Sequence, residues 1–184
     1  MKKTALLAMI LMVVSVFSVN AADDTKKAPA KKATAKKATA TKVTVSSLGK
    51  PVFDFQLSAG WTSKPYKKEL ILIPPAKYPH IQLWHIEKAK DIATAEKNIA
   101  QTITSEVIKF KVKESKEVKI AGNSAKKLIG SGLEADDQDP SNAVVYLFTV
   151  NAKVFVLCIH GEGDEASKYA DPMLKMLETI KPVK

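Results

Sequence analysis

One short run of residues combines a histidine with three carboxylates, and it is the part of the sequence best suited to chemistry. The run extends from His160 to Glu165 and lies where a predicted strand ends and a predicted helix begins. A histidine and carboxylates in such a place can hold a hard cation or transfer protons. His160, Glu162 and Asp164 are therefore candidate metal ligands, and a metal-dependent hydrolase is one alternative function.

The interpretation that we favour for this run is structural. Asp164 is suited to cap the helix that follows, and Glu165 would lie at the positive end of that helix. The sequence contains neither a G-x-S-x-G nucleophile motif nor a glycine-rich nucleotide loop. We therefore expect no catalytic residue, no cofactor and no bound metal, and the protein is not expected to be an enzyme.

Three further candidates are better explained by structure than by chemistry. His80 and His85 have odd spacing in a predicted strand, which places them on opposite faces and prevents them from sharing a metal. The acidic stretch 134–139 lacks calcium-loop spacing and is expected to be an exposed hairpin loop. Cys158 lies in an apolar run, which indicates a buried thiol, although it shares a strand face with His160 and pairing between chains stays open.

The N-terminus has the pattern of a secretory signal peptide. Lys2 and Lys3 precede an apolar segment, Ala5–Phe17, and small residues follow at Val19 and Ala21. We predict a signal peptide over residues 1–21, because the apolar segment is shorter than the roughly 20 residues of a spanning helix. The mature chain is then expected to be periplasmic or secreted, and not membrane-spanning.

Residues 22–42 form a low-complexity segment of alanine, threonine and lysine. Its seven lysines are Lys26, Lys27, Lys31, Lys32, Lys36, Lys37 and Lys42. We expect this segment to be a disordered linker that is either a solvated tether or a binder of anionic envelope polymers. No aromatic residue alternates with the lysines, so nucleic acid is not an expected partner.

The charge of the chain is concentrated in this N-terminal part. The 184 residues carry a net charge of +10, from 29 lysines, no arginine and 19 acidic residues. From residue 43 onward, 20 lysines face 17 acidic residues, a net charge of only +3. Without arginine, shaped bidentate sites for phosphate or carboxylate are disfavoured.

Residues 43–184 are predicted to form one domain in which strands and helices alternate irregularly. Strands are predicted over 52–57, 69–73, 80–86, 117–120, 125–131, 143–150 and 154–159. A helix is predicted over 91–109, capped by Asp91, because apolar residues recur every three or four positions and Glu106 falls on the solvent side. A second helix over 165–180 is expected to kink or restart at Pro172.

Several of these features occur together in one known superfamily. Phe53-x-Phe55 is followed by Gly60-Trp61, and the segment Val118–Ala125 precedes a strand. With the strand-strand-helix order, residues 50–182 resemble the PsbP-like superfamily, which comprises the photosystem extrinsic protein PsbP and its bacterial secreted relatives. A nuclear Ran-release factor has the same fold as this superfamily. The usual proline before Gly-Trp is replaced here by Leu57-Ser58-Ala59.

The resemblance implies an α+β fold, in which an antiparallel sheet of about six to seven strands has helices packed on its faces. It also implies a secreted, non-catalytic binding or accessory role in the cell envelope. No catalytic residue is carried over from the family, and neither is its photosynthetic function, because a fold does not fix a function. The expected partner is an unidentified envelope protein or an anionic envelope polymer.

Overall fold

The computed structural model describes residues 40–76 and 78–183. The predicted signal peptide 1–21 and the linker up to residue 39 lie outside this range. Strand β1 begins at Thr41, so Thr41 and Lys42 belong to a strand, and the strand starts two residues before the expected domain boundary. No helix within the described residues is both long and apolar enough to cross a membrane.

Ten strands and three helices follow one another in the described residues. The first five strands are β1 (Thr41–Ser47), β2 (Lys50–Leu57), β3 (Thr62–Tyr66), β4 (Glu69–Ile73) and β5 (His80–His85). The first two helices are α1 (Ile92–Lys97) and α2 (Ile99–Thr102). The remaining elements are β6 (Val107–Ile120), β7 (Asn123–Glu134), β8 (Pro140–Val150), β9 (Lys153–Gly161), α3 (Glu165–Leu177) and β10 (Lys181–Pro182).

The strands form two antiparallel sheets. The larger sheet has seven strands in the order β3-β4-β5-β9-β8-β7-β6, and the smaller sheet has the order β1-β2-β10. Strands β8 and β9 lie at the centre of the larger sheet and are buried on both sides, which explains their continuous apolar sequences. This confirms the predicted α+β fold.

One side of the seven-stranded sheet, which we call the first face, packs against α3 and the smaller sheet. Phe53 of β2 meets Phe155 of β9 edge-to-face, with ring centroids 5.0 Å apart. Met173 and Leu177 of α3 are fully buried against this face. The alternation of Phe53, Phe55 and Leu57 therefore directs one side of β2 into the main core, as the sequence predicts.

The opposite side, the second face, packs against α1 and α2. Ile99 and Ile103 cover Val145, Val156 and other apolar residues of the central strands. The register places Cys158 opposite Gln82 and His160 opposite His80, so this face becomes polar toward the start of β5. The candidate site lies at that polar end.

The helix predicted over 91–109 is wrong in its extent. Asp91 does cap it, since its carboxylate accepts a hydrogen bond of 2.7 Å from the Thr94 amide. The helix breaks at Asn98, whose side-chain amide donates to the Thr94 carbonyl at 3.0 Å. Such local side-chain bonds compete with helix continuation.

The rest of the predicted helical segment is a turn followed by a strand. The run from Ile103 to Ile108 is rich in β-branched and hydroxyl residues, which favour extended structure once a partner strand is present. Val107 pairs with Glu134 of β7 and opens the fourteen-residue strand β6. The recurrence of apolar residues in this segment predicted their burial correctly, because Ile103 and Val107 are both fully buried.

The C-terminal helix also differs from its prediction. It runs without interruption from Glu165 to Leu177 and contains Pro172, so the helix does not restart at Pro172. It ends before Ile180, and residues 181–182 form a short strand against β2. Strand β3 was missed, because its sequence is polar and exposed and contains Pro65, as is common at a sheet edge.

Two glycines of β7 let the backbone of the neighbouring strand β6 approach unusually closely. A Cβ atom on Gly130 would lie 2.3 Å from the Lys111 carbonyl oxygen, and one on Gly132 would lie 2.5 Å from the Ile108 carbonyl oxygen. The ring of Phe110 fills the space over Gly130. Strand β6 has register shifts at these positions, so the glycines accommodate a bulged edge strand.

Candidate functional site

His160 lies at the polar end of the second face, one residue before the end of β9. The antiparallel register places it opposite His80 of β5, and the two rings stack with centroids 5.2 Å apart and an interplanar angle of 17°. His160 is 4% exposed, which is rare for a polar side chain. Its surroundings therefore decide what it can do.

Two carboxylates from distant parts of the chain approach the His160 ring. Nε2 lies 3.4 Å from Oε2 of Glu106, and Nδ1 lies 3.7 Å from Oε1 of Glu134. These distances suit an ion pair, but neither ring nitrogen has a hydrogen bond to any described residue. We call His80, His160, Glu106 and Glu134 the histidine cluster.

Glu106 is the more buried carboxylate of the cluster. Its side chain is 11% exposed, and burial alone would raise its pKa. Polar contacts from His160, Gln82 and Ser105 outweigh burial and hold the pKa of Glu106 below its usual value. The expectation that Glu106 faces water is therefore wrong, because the predicted helix ends before this residue.

Glu134 connects the histidine cluster to a pocket at the surface. Ser141 Oγ donates to Glu134 Oε1 at 3.4 Å, and the Glu134 amide donates to the Asp139 carbonyl at 2.9 Å. Glu134 is the last residue of β7, so only residues 135–139 form the loop. The predicted exposed acidic loop is present there, whereas Glu134 itself is largely shielded.

The pocket that Glu134 lines has a volume of about 640 Å³. It lies between the start of β5, the β7–β8 turn and the start of α3. Its carboxylates are Glu134, Asp136, Asp137, Glu162 and Glu165, and its aromatic rings are Tyr78 and His80. We call it the acidic pocket.

The proposed metal ligands do not come together. Glu162 and Asp164 are exposed, whereas His160 is buried and faces Glu106 and Glu134 instead. Asp164 precedes α3 but makes no capping hydrogen bond; its carboxylate lies 2.9 Å from Lys168 Nζ. Within the described ranges, no three His, Cys, Asp or Glu side chains are grouped to hold a metal ion.

Cys158 occupies the second face two residues before His160, as the spacing predicts. It is fully buried, and burial raises the pKa of its thiol above the usual value. The neutral thiol is the form that does not act as a nucleophile. Burial also keeps Cys158 from pairing with another chain while the domain is folded.

The other two predictions concern His85 and the lysines. His85 lies on the first face, where its Nδ1 is 2.9 Å from Ser47 Oγ, so His80 and His85 are on opposite faces as predicted. Of the seven lysines proposed to bind polyanions, only Lys42 lies within the described residues. Its Nζ is 3.0 Å from the Asp54 carboxylate in the neighbouring strand.

Sequence reasoning missed Glu106, Glu134 and Tyr78 as site residues. Glu106 and His160 are more than fifty positions apart, and the sheet order β9-β8-β7-β6 brings Glu134 of β7 and Glu106, which directly precedes β6, to the histidine. The pair Gly130-x-Gly132 was the available signal, because glycines inside a strand indicate close backbone approach. That signal indicates a close neighbouring backbone, but it does not identify residues 107–111 as that backbone.

Comparison with known proteins supports the fold and reaches no further. No protein-family model matches the chain, and no curated protein matches it. The solution structure of cyanobacterial PsbP (CyanoP) from Synechocystis sp. PCC 6803 matches with a TM-score of 0.54 and 9% identity. The match covers 79% of this chain and 94% of CyanoP.

A second solved structure is more weakly similar. LpqN, which is involved in cell envelope biogenesis of Mycobacterium tuberculosis, matches with a TM-score of 0.48 and 15% identity over 79% of this chain and 92% of LpqN. The fold is established by the match to CyanoP and by the sheet order and helix placement described above. These show that the chain has the PsbP-like fold.

Proposed function

We propose that this protein is an extracytoplasmic, non-catalytic accessory protein of the bacterial cell envelope, which acts by binding a partner at the acidic pocket. The observation that carries the proposal is the pocket itself, a concave surface of about 640 Å³ where three separate parts of the chain present carboxylates. Concave sites with a few convergent polar groups are the usual places of ligand binding.

Export is supported by the sequence at the N-terminus. The charged start, the short apolar segment and the small residues before position 22 are the three parts of a signal peptide. A PsbP-like domain in the envelope agrees with the secreted relatives to which the sequence is similar. The proposal therefore places the acidic pocket outside the cytoplasmic membrane.

The chemistry of the nearby side chains favours binding over catalysis. Cys158 is held as a neutral thiol, and both ring nitrogens of His160 face carboxylates instead of the open pocket. A general base must reach the proton that it abstracts. The accessible pocket groups, Asp136 and Glu162, are better suited to attract a positively charged partner than to activate a nucleophile.

Site-specific photocrosslinking in a living Gram-negative host tests this function. A photocrosslinking residue replaces Asp136 in the pocket or, as a control, Glu178, an exposed acid near the end of α3. We expect the full chain to be processed and exported, and defined adducts to form at position 136 but not at 178. Retention of the chain in the cytoplasm, or equal labelling at both positions, would overturn the proposal.

A second candidate function is binding of anionic envelope polymers by lysines. Besides the segment 22–42, the edge strand β6 exposes five lysines: Lys109, Lys111, Lys113, Lys116 and Lys119. This function predicts that deletion of residues 22–39 weakens envelope association and that the association weakens steeply with ionic strength. Association that is unchanged both after the deletion and at high ionic strength would eliminate it.

A further inference from the structure

We propose that one end of the domain docks on a lipid bilayer with anionic headgroups, through the tips of two neighbouring hairpins. The tips are the β1–β2 turn, Leu48-Gly49, and the β3–β4 turn, Lys67-Lys68, with Tyr66 directly before the second turn. We call these five residues the hairpin tips. This contact lies at the end of the domain opposite the acidic pocket and goes beyond the proposed function.

The two turns are neighbours in space although they belong to different sheets. The β1–β2 hairpin is part of the smaller sheet, and the β3–β4 hairpin forms one edge of the larger sheet. Both turns, 48–49 and 67–68, line one cavity of about 290 Å³. Because each turn is held by its own pair of strands, the two tips can contact a common surface.

Leu48 is unfavourable for the fold at its place in the turn. Ser47 pairs with Lys50, so Leu48 and Gly49 form a two-residue turn, with φ angles of +52° and +75°. Asparagine or glycine is favoured at the first of these positions, because a bulky side chain is strained at positive φ. The Leu48 side chain is 73% exposed, so packing within the domain does not offset this strain. A strained and exposed apolar residue indicates a contact outside the domain.

The second tip combines an aromatic ring with lysines. Tyr66 is 49% exposed, and the Nζ atom of Lys67 lies 5.0 Å from the centre of its ring. Leu48 and Tyr66 are two of the four large apolar or aromatic side chains that are exposed among the described residues. Tyrosine and lysine are typical of the membrane interface, where the ring lies at the headgroup level and the ammonium group reaches the phosphates.

Positive charge surrounds the hairpin tips. Three segments at this end hold five lysines against two acidic residues, a net charge of +3 that equals the net charge from residue 43 onward: 48–50, 66–68 and 87–91. The last segment belongs to this end because Lys88 lines a cavity together with Lys68. One of the two acids, Glu87, is paired with Lys68 at 2.9 Å. A lysine near an anionic membrane surface strengthens binding about fivefold.

The acidic pocket lies at the other end of the same strands. Strand β9 begins at Lys153, near the end of β5, and ends at Gly161 in the pocket wall. These two ends are roughly 25 Å apart, since a strand rises about 3.3 Å per residue. Segments 134–139 and 162–165 contain seven acidic residues and no lysine. An anionic surface therefore attracts the hairpin tips and repels the acidic pocket, which leaves the pocket on the aqueous side.

Vesicle binding by the chain from residue 22 onward tests the proposal at physiological ionic strength. We expect co-sedimentation with vesicles that contain phosphatidylglycerol, and binding at least about tenfold weaker to pure phosphatidylcholine. Equal binding to the two kinds of vesicle would overturn the proposal. Tyr66→Trp supplies a probe of insertion, because brominated acyl chains should quench its fluorescence more than that of Trp61 and Trp84 in the unmodified chain. Equal quenching of both proteins would also overturn the proposal.

Leu48→Asn separates the hairpin tips from the lysine segment 22–42. The change removes an apolar side chain without altering charge and supplies a residue that the turn favours. We therefore expect equal or higher thermal stability and vesicle binding that is about tenfold weaker or more. Val112→Thr, which alters another exposed apolar residue, should leave binding unchanged. Vesicle binding by Leu48→Asn as tight as that of the unmodified chain would overturn the proposal.

Paired lysine variants separate the hairpin tips from general basicity. Lys67→Gln combined with Lys68→Gln is expected to weaken vesicle binding about tenfold or more. Lys111→Gln combined with Lys113→Gln removes the same charge from the exposed edge strand β6 and should weaken it less than about threefold. Equal losses in the two double variants would mean that net charge and not the hairpin tips determines binding, and the proposal would be wrong.

Photocrosslinking at position 48 tests for a protein as the occupant. Adducts with membrane lipid would support bilayer docking. A defined protein adduct, together with absence of vesicle binding, would mean that the tips contact a protein and that the proposal is wrong. Crosslinking at position 136 reports on the acidic pocket alone, so bilayer docking and the accessory function can fail separately.

Discussion

The two faces of the seven-stranded sheet contain similar apolar residues but differ in how completely they are covered. On the first face, α3 and the smaller sheet close over aromatic rings, and Phe53, Phe148 and Phe155 are at most 1% exposed. On the second face, two short helices cover only the middle of the sheet. One end of the second face carries the histidine cluster, and the other end opens into a cavity of about 590 Å³ beside Trp84.

Because of this difference, the first face mainly stabilises the domain, whereas the margin of the second face has room for a binding site. A closely packed apolar face contributes the hydrophobic stabilisation of the domain and leaves no space for a ligand. A partly covered face can hold polar groups such as Glu106 and His160 at its margin, at some cost in stability. The fold therefore places its candidate site where the covering helices end.

The largest expected effect is the loss of an aromatic ring from the core between the first face and the smaller sheet. Phe53→Ala removes a fully buried ring that contacts Phe148 and Phe155, and it should lower the free energy of unfolding by about 3–5 kcal/mol. Trp84→Ala removes a larger but half-buried ring from the second face, and we expect less than half that loss. Denaturant unfolding measures both, and equal losses would mean that the two faces are equally closed.

The next effect concerns the close crossing of β6 over β7 at the edge of the second face. Gly130→Ala places a methyl group against the Lys111 carbonyl and the Phe110 ring, so β6 must shift. We expect a loss of about 1–3 kcal/mol in the free energy of unfolding. Gly161→Ala is the control, because its new methyl group would meet only Pro79 and Glu165, at 3.4 Å or more.

A small loss for Gly130→Ala, similar to that of the control, would show that β6 adapts without strain. The second face would then be held more loosely than the two close approaches imply. Thermal unfolding of both variants in the same buffer gives this comparison directly. A large loss for both variants would contradict the assignment of the constraint to the β6–β7 crossing.

The sequence predicted the first face better than the second for a physical reason. The alternation of apolar residues along β2 is a local sequence signal, and it correctly predicted that Phe53, Phe55 and Leu57 lie in the core. The second face depends on β6, where a helical spacing of apolar residues competes with β-branched composition. Pairing with β7 decides that competition, and no local window contains the pairing.

The same reasoning explains which parts of the candidate site were found. His160 was singled out because it lies next to acidic residues in the chain, but its actual neighbours, Glu106 and Glu134, come from other strands. The acidic loop was predicted as a loop, yet its proximity to Glu162 follows only from the sheet order. Sequence spacing thus identified the residue types of the site and not their partners.

The smallest expected effect tests the electrostatics of the polar end. Contacts with His160, Gln82 and Ser105 hold the pKa of Glu106 below its ordinary value, which is about 4.3 in an unfolded chain. A lowered pKa means that ionised Glu106 stabilises the fold above about pH 4.3, and that this contribution is lost as the pH falls through the folded-state pKa. Glu106→Gln should therefore cost about 1 kcal/mol at neutral pH and less in acid.

Glu69, which lies near Glu106, provides a control of opposite sign. Burial and the charge of Glu106 raise the pKa of Glu69, so its ionised form destabilises the fold at neutral pH. Glu69→Gln should increase the free energy of unfolding at neutral pH, and this gain should vanish in acid. Urea unfolding of both variants from pH 3 to pH 7 provides the measurement. If both variants lose stability at neutral pH, ionised Glu69 stabilises the fold, and the assigned direction of its pKa shift is wrong.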